Sequence, residues 1–375
     1  MKERQGLHHR KDSSMKIGIL THHYVKNFGA FLQAFALIHV IQEIAPNAYV
    51  EIIDYRVRKH EIMNSVHYFG FKPNRGDTFK GYLEKIGLYF TQDSFEKSLP
   101  KSKRVYSQDD INDLQYDLII VGADEVWNFN DVAYDPIKFG YGINAPLISY
   151  SASVGGSSIG DSISSDIING LLKFKAIAVR DKKSEELAKY IVGDKIDVNR
   201  TLDPVFLYDF KLKIRDKIRR LTVSPYILIY DCHVTENQVL KLVDFAQRNN
   251  MDIIGAGEYR KWYTKHSVNI SPLEWAYLFK HSWGVVTGTF HGTSFAIKYN
   301  RPFVAYLTEL NRVNKVGSLL SEFGLEKQLV KPTDNIIDVM KQNIDYERVN
   351  KIIEARKAES IRYLQSNMEK IQSKE

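Results

Sequence analysis

Short runs of β-branched and apolar residues alternate with amphipathic segments along most of the chain, which predicts an α/β fold with mostly parallel sheets. The first unit reads as a strand over 16–20, a loop over 21–28, a helix over 29–44 that stops before Pro46, and a second strand over 49–54. Residues 56–115 break the rhythm: they are rich in Lys, Tyr, Phe and Gly, with an amphipathic helix over 79–90, and read as an excursion over the sheet and a candidate lid. The alternation resumes with strands over 118–121, 147–152, 176–179 and 195–198 and helices over 162–172 and 183–191.

A charged helical connector covers 208–224, and Pro225 marks a boundary. Beyond it the pattern predicts strands over 226–231, 252–255, 283–286 and 303–306, and helices over 236–248, 273–281 and 292–299. A long Lys- and Glu-rich amphipathic helix follows Ile344 and is expected to pack back across a domain. The expected organisation is therefore a disordered extension over 1–14, an N-terminal α/β domain over 15–208, a connector over 209–224, a C-terminal α/β domain over 225–344 and a terminal helix over 345–375. Two doubly wound halves in succession leave one natural ligand site, the cleft between the carboxyl ends of their sheets.

Composition narrows the class. A chain of 375 residues suits two cores better than one, and 44% hydrophobic with 26% charged residues excludes wholesale disorder. The longest apolar runs have strand length, far short of the ~20 residues of a spanning helix. A lone cysteine, Cys232, excludes an intrachain disulfide framework and a thiolate metal cage and fits a reducing compartment. The polar first fourteen residues contain no apolar stretch of a secretory signal, so a cytoplasmic location is expected. The formal charge of +7 is spread along the chain. No nucleic-acid module accompanies it; a small anionic substrate, or peripheral association with an anionic inner membrane face, accounts for the sign.

Four segments carry candidate chemistry. Gly288-Thr289-Phe290-His291-Gly292-Thr293 follows a strand and opens a helix, where small and hydroxyl residues are expected to leave backbone N–H groups for an anion. His291 at that mouth suits proton transfer, although a helix-capping histidine without chemistry fits the same pattern. Arg180 ends an apolar strand, where it either grips a carboxylate or phosphate or forms a structural ion pair with Asp181 or Asp203. Asp124 and Glu125 follow the strand 118–121, placed to orient a sugar hydroxyl or simply to cap the following helix, and Trp127 is placed to stack on a sugar face. Asn27 and Gly29 open the first helix, the one as a cap and the other permitting close approach. His22 and His23 share that loop without a third ligand at metal spacing and read as ordinary loop histidines.

Taken in order, NFGAFLQAFAL (27–37), VGADEVWN (121–128), ISYSASVG (148–155), AVRDKKS (178–184), TLDPVFL (201–207), GTFHGTSFAI (288–297) and RPFVAY (301–306) resemble the polysaccharide pyruvyl transferase family over residues 15–330. The resemblance implies two Rossmann-like domains of the GT-B type with the active site between them. It also implies transfer of a pyruvyl unit from phosphoenolpyruvate to two hydroxyls of a sugar, with no further cofactor and no metal. Carried over by motif, His291 is the general acid/base, Arg180 the anchor for an acidic group of the donor, and Asp124 or Asn128 the group orienting hydroxyls. Asn27, Gly29, Gln33, Trp127, Asn128, Thr289, Gly292 and Thr293 fall on the expected substrate-binding segments. Many members carry Arg two residues before this His, where the chain has Thr289; Arg312 or Lys315 is the expected substitute cation. The implied partner is a saccharide acceptor, free or lipid-linked. The same architecture serves glycosyltransferases that use nucleotide sugars, and Thr289 also suits a non-catalytic saccharide-binding homologue.

Overall fold

The computed structural model describes residues 14–69, 79–307, 310–331 and 333–373; the extension expected at the start lies, apart from Ser14, outside them, as does the middle of the expected lid. Three short apolar strands, β1 (Lys16–Leu20), β2 (Tyr49–Ile52) and β3 (Leu118–Val121), pair in parallel with β4 (Leu147–Ser149) in the order β2-β1-β3-β4. A further parallel pair, β5 (Ile177–Val179) and β6 (Val198–Arg200), joins this sheet through bridges from Ile148 to Ala176 and from Ala152 to Val179.

Between β1 and β2 runs α1 (Phe28–Ile44), whose start is set by Asn27: its side-chain oxygen accepts the N–H groups of Gly29 and Ala30. Twelve residues of α1 are buried, so this helix is apolar nearly all round. The excursion contains α2 (Arg58–Phe69), α3 (Phe79–Lys97) and α4 (Gln108–Asn112). Tyr68 and Phe69 of α2 meet Tyr89 of α3 ring to ring, and Thr91 of α3 donates to Asn269 in the second half. The helices α5 (Ser165–Leu171) and α6 (Lys182–Val192) complete the first half.

The second half begins after a short helix, α7 (Asp216–Leu221). Its elements are β7 (Tyr226–Tyr230), α8 (Glu236–Arg248), β8 (Asp252–Ala256), β9 (Lys265–Ser267), α9 (Pro272–His281), β10 (Gly284–Thr287), α10 (Phe290–Lys298), β11 (Phe303–Tyr306), α11 (Leu310–Phe323), β12 (Leu329–Val330) and α12 (Ile336–Met340). The six strands are parallel in the order β12-β11-β10-β7-β8-β9. Strand order reverses between β7 and β10 here and between β1 and β3 in the first sheet. Each reversal opens a crevice at the carboxyl ends of the strands.

One continuous core joins the halves: Ile17, Leu37 and Phe28 from the first share it with Tyr226, Trp275 and Phe295 from the second. Phe28 and Trp275 stack with centroids 5.7 Å apart. The last helix, α13 (Tyr346–Gln372), returns to the first half, as its amphipathic pattern suggested. There Ser360 Oγ accepts the N–H of Leu202, Tyr363 donates to the carbonyl of Ser149, and Leu364 and Met368 enter the common core. No helix among the described residues is long and apolar enough to cross a membrane.

Several expected boundaries shift. The strand placed at 195–198 forms at 198–200, because 193–195 turn as a 3₁₀ segment. The helix placed at 292–299 starts at Phe290, capped by Thr289. Of the charged connector only 216–221 is α-helical.

Candidate functional site

The residues at the ends of β1, β3, β7 and β10 face one another across a cavity of about 320 Å³. His22 and Asn27 come from the β1–α1 loop, Asp124 and Glu125 from the end of β3, Asp231 from the end of β7, and Thr289 and His291 from the β10–α10 junction. Helix α2 adds His60, and α11 adds Arg312 and Lys315. The cavity thus occupies both topological switch points at once.

Its floor is an ion network. Arg180, at the end of β5, has a side chain 2% exposed and donates from Nη1 to Asp203 Oδ2 at 3.0 Å and to Asp124 Oδ1 at 3.4 Å. Its guanidinium lies 4.0 Å from the ring centroid of Phe290, and its Nε has no partner among the described residues. Burial disfavours this charge, but Asp124, Asp203 and Asp181 outweigh burial and raise the Arg180 pKa. Asp203 caps the turn Pro204–Phe206 with Oδ1, which leaves Oδ2 for the network. Burial pushes its carboxyl upward, yet His291 and Arg180 prevail and hold it below the ordinary carboxylate value.

His291 is the second residue of α10, and its Nε2 stands 3.6 Å from Asp203 Oδ2. That is an electrostatic pairing, longer than a formed hydrogen bond. Its ring rests on α1 at Gly29, where an added Cβ would lie 2.3 Å from the imidazole. Glycine is needed at 29 so that the two helices can bring His291 to the cavity. Arg180 and His291, 111 positions apart in the chain, therefore converge on one carboxylate.

The remaining expected residues divide. Asp124, Asn27, Thr289, Arg312 and Lys315 line the cavity. Asp124 adopts a left-handed backbone (φ 73°), which turns the chain at the end of β3. Arg312 donates to Asp231 and to the carbonyl of Gly288, and Lys315 pairs with Glu125. Five expectations need correction. Trp127 is fully buried, stacked on Phe139 and donating to the carbonyl of Lys138, so it is a core residue without a face to offer a sugar. Gln33 is fully buried beneath the loop and donates to Thr21 and Ala30. Asn128 lies behind the cavity wall, where its amide donates to Glu125 and its oxygen accepts from Ser157. Gly292 gives its N–H to Thr289 Oγ1 and packs against Thr287, while Thr293 bonds back to the Thr289 carbonyl. At this junction the Gly292 N–H goes to the capping Thr289 hydroxyl and the Thr293 N–H to the Thr289 carbonyl, so of the backbone N–H groups expected for an anion those of Phe290 and His291 are the ones without a partner among the described residues.

Sequence pattern alone marks Asp203 only as an ion-pair partner, and it does not mark His22, His60 or Asp231 for the site. An Asp before Pro204 is a visible capping signal; nothing in the pattern aims its second oxygen at the cleft.

Similarity to known proteins bears on the family and the fold. The family model of polysaccharide pyruvyl transferase matches residues 27–309. No curated protein sequence matches the chain. Among solved structures, UDP-GlcNAc 2-epimerase from Neisseria meningitidis bound to UDP-GlcNAc is similar with a TM-score of 0.54 at 14% identity, covering 95% of this chain and 100% of that one. UGT89C1 from Arabidopsis thaliana is similar with a TM-score of 0.50 at 10% identity, covering 95% and 99%. Likeness at this level of identity concerns the fold, which is α/β, Rossmann-like and of the GT-B type.

Proposed function

The chain belongs to the polysaccharide pyruvyl transferase family, and from that membership we propose that it transfers a pyruvyl group from phosphoenolpyruvate to two hydroxyls of one sugar, closing a cyclic ketal. The acceptor is a precursor of a surface or exopolysaccharide, free or lipid-linked, met on the cytoplasmic side. Phosphoenolpyruvate is a substrate here, and the scheme calls for no cofactor.

The observation that carries this reading is the meeting of His291 and Arg180, from opposite halves, across Asp203 at the cavity floor. In the reaction His291, protonated, delivers its proton to the methylene carbon of phosphoenolpyruvate, which becomes the methyl group. Asp203, 3.6 Å from Nε2, orients the ring for that transfer. Positive character then builds at the adjacent carbon, and a sugar hydroxyl oriented by Asp124 attacks it. Phosphate departs with the C–O electron pair, and the second hydroxyl forms the other C–O bond. The two hydroxyl protons leave, one restoring His291 and one ending on phosphate, so the step balances. Negative charge on the donor is met by Arg180, by Arg312 and Lys315, and by the start of α10. Since Thr289 serves as the helix cap, the cation that many relatives place there is supplied from α11.

The test is release of inorganic phosphate from phosphoenolpyruvate in the presence of saccharide acceptors. His291→Ala and Arg180→Ala are each expected to lose about 10²–10⁴ in turnover while folding normally. A wild-type rate in either variant removes that residue from the mechanism. Sugar-nucleotide turnover with none from phosphoenolpyruvate overturns the donor in favour of a glycosyl transfer.

A further inference from the structure

Lys138 is an anomaly of the first half. It sits in the 3₁₀ turn Pro136–Phe139, is 1% exposed, and its ammonium meets two partners among the described residues: the carbonyl of Ala133 and His22 Nε2, each at 2.8 Å. A buried lysine with one of three donors unmatched costs stability that an apolar side chain of the same length would not. Its carbonyl serves the fold locally by accepting from Trp127, and its ammonium ties the same loop through the Ala133 carbonyl. The ammonium's other contact, to His22, is the one that reaches the cavity.

His22 lines the cavity on the side of the first sheet, facing the wall that holds His291 and the α11 cations. Burial first, then the charge of Lys138, holds its pKa well below the ordinary histidine value, so the ring is neutral. A neutral imidazole has one N–H and one lone pair, and the partner of one nitrogen decides the role of the other. Here Nε2 faces an ammonium, which can only donate. Nε2 must then be the lone pair and Nδ1 the N–H, and Nδ1 has no partner among the described residues.

We propose that Lys138 is a positioning residue that locks His22 as the Nδ1–H tautomer, making His22 a neutral hydrogen-bond donor for an oxygen of the saccharide acceptor. The assignment of the ligand rests on the function proposed above; the lock itself does not. Charge divides the cavity in the same sense. Around His22 the first half brings His60, Asp131 and Asp124, which suit a neutral polyol, whereas Arg312 and Lys315 enter from α11 with Asp231 and Glu125 as their partners.

The lock has a pH limit. Burial lowers the Lys138 pKa to about 8, against the raising influence of Asp135 and Asp131; His60, also depressed by burial and by Lys138, and His23 are the other titratable groups facing the pair. Lys138 is thus charged at neutral pH and loses its proton in mildly alkaline solution. A neutral amine both donates and accepts, and the tautomer is released.

The experiment is ¹⁵N-histidine NMR of the full chain, with the His22 signals identified by their loss in His22→Phe. At about pH 7 Nδ1 should read as protonated and Nε2 as unprotonated, the distinction fading between about pH 7 and 9. An Nε2-protonated His22 at neutral pH, or a tautomer indifferent to pH across that range, overturns the proposal. In Lys138→Met the distinction should be lost at neutral pH, and the acceptor KM should rise about tenfold, more than kcat changes. If that variant fails to fold, the wild-type pH series still decides. Absence of phosphate release from phosphoenolpyruvate beside an intact NMR signature would count against the reaction and not against the lock.

Discussion

Gly29 shows how much a single missing methyl group controls. Its backbone lets the imidazole of His291 lie against α1, and a Cβ there would intrude to 2.3 Å. Alanine is favoured over glycine within a helix by roughly 0.5–1 kcal/mol, so Gly29→Ala should fold and yet push the imidazole aside. Turnover is expected to fall by as much as about 100-fold, the scale of an ångström-sized misplacement. Phosphate release together with circular dichroism checks this; an unchanged rate would mean that contact with α1 does not set the position of His291. Trp127 teaches the converse at the same scale. An aromatic next to two acids looks like a sugar platform in the sequence, but the ring fills the space between Phe139 and Phe174. Identity was legible there, and direction was not.

Among elements, the ones read correctly are those whose local signals agree. The strand 118–121 is wholly apolar and buried, and α8 occupies 236–248 with a clean polar-to-apolar alternation of faces. The helix α11 is not legible because Gly317 and the polar positions Asn314 and Ser318 dilute its stripe of Val316, Leu319, Leu320 and Phe323. Such a helix is stabilised by what it packs on more than by its own propensity. The consequence reaches the proposed function, since α11 carries Arg312 and Lys315 one turn apart into the cavity. Sequence marks both as candidate cations without an element to place them. Arg312→Ala is expected to raise the phosphoenolpyruvate KM by about tenfold or more, the worth of a charge-assisted contact. Unchanged KM values in both Arg312→Ala and Lys315→Ala would exclude α11 as the phosphate-binding element.

For the molecule as a whole, the two-sheet plan was legible from alternation, and the inward course of the last helix from its amphipathic stripe. The meeting of particular residues was not, because β5 and α10 are brought together by packing of the halves and not by any local pattern. Leu364 belongs to a helix that comes after the second half, yet it is fully buried in the core shared with Ile17 and Leu37. Leu364→Ala should destabilise the protein by about 2–5 kcal/mol, and urea unfolding monitored by a probe in the first half should register it; a first half that unfolds as in the wild type would show the helix to be dispensable there. The ion pairs of the cleft have an effect at this scale too. Arg180 already holds Asp124 and Asp203, Arg312 holds Asp231, and Lys315 holds Glu125. On the proposed reaction an arriving anionic donor competes with carboxylates the protein brought with it, so its affinity would measure an exchange of partners. Since Glu125 lies just past β3 and Lys315 sits on α11, that exchange would also untie a strut between the two halves, and filling the cleft and loosening its sides would become a single event.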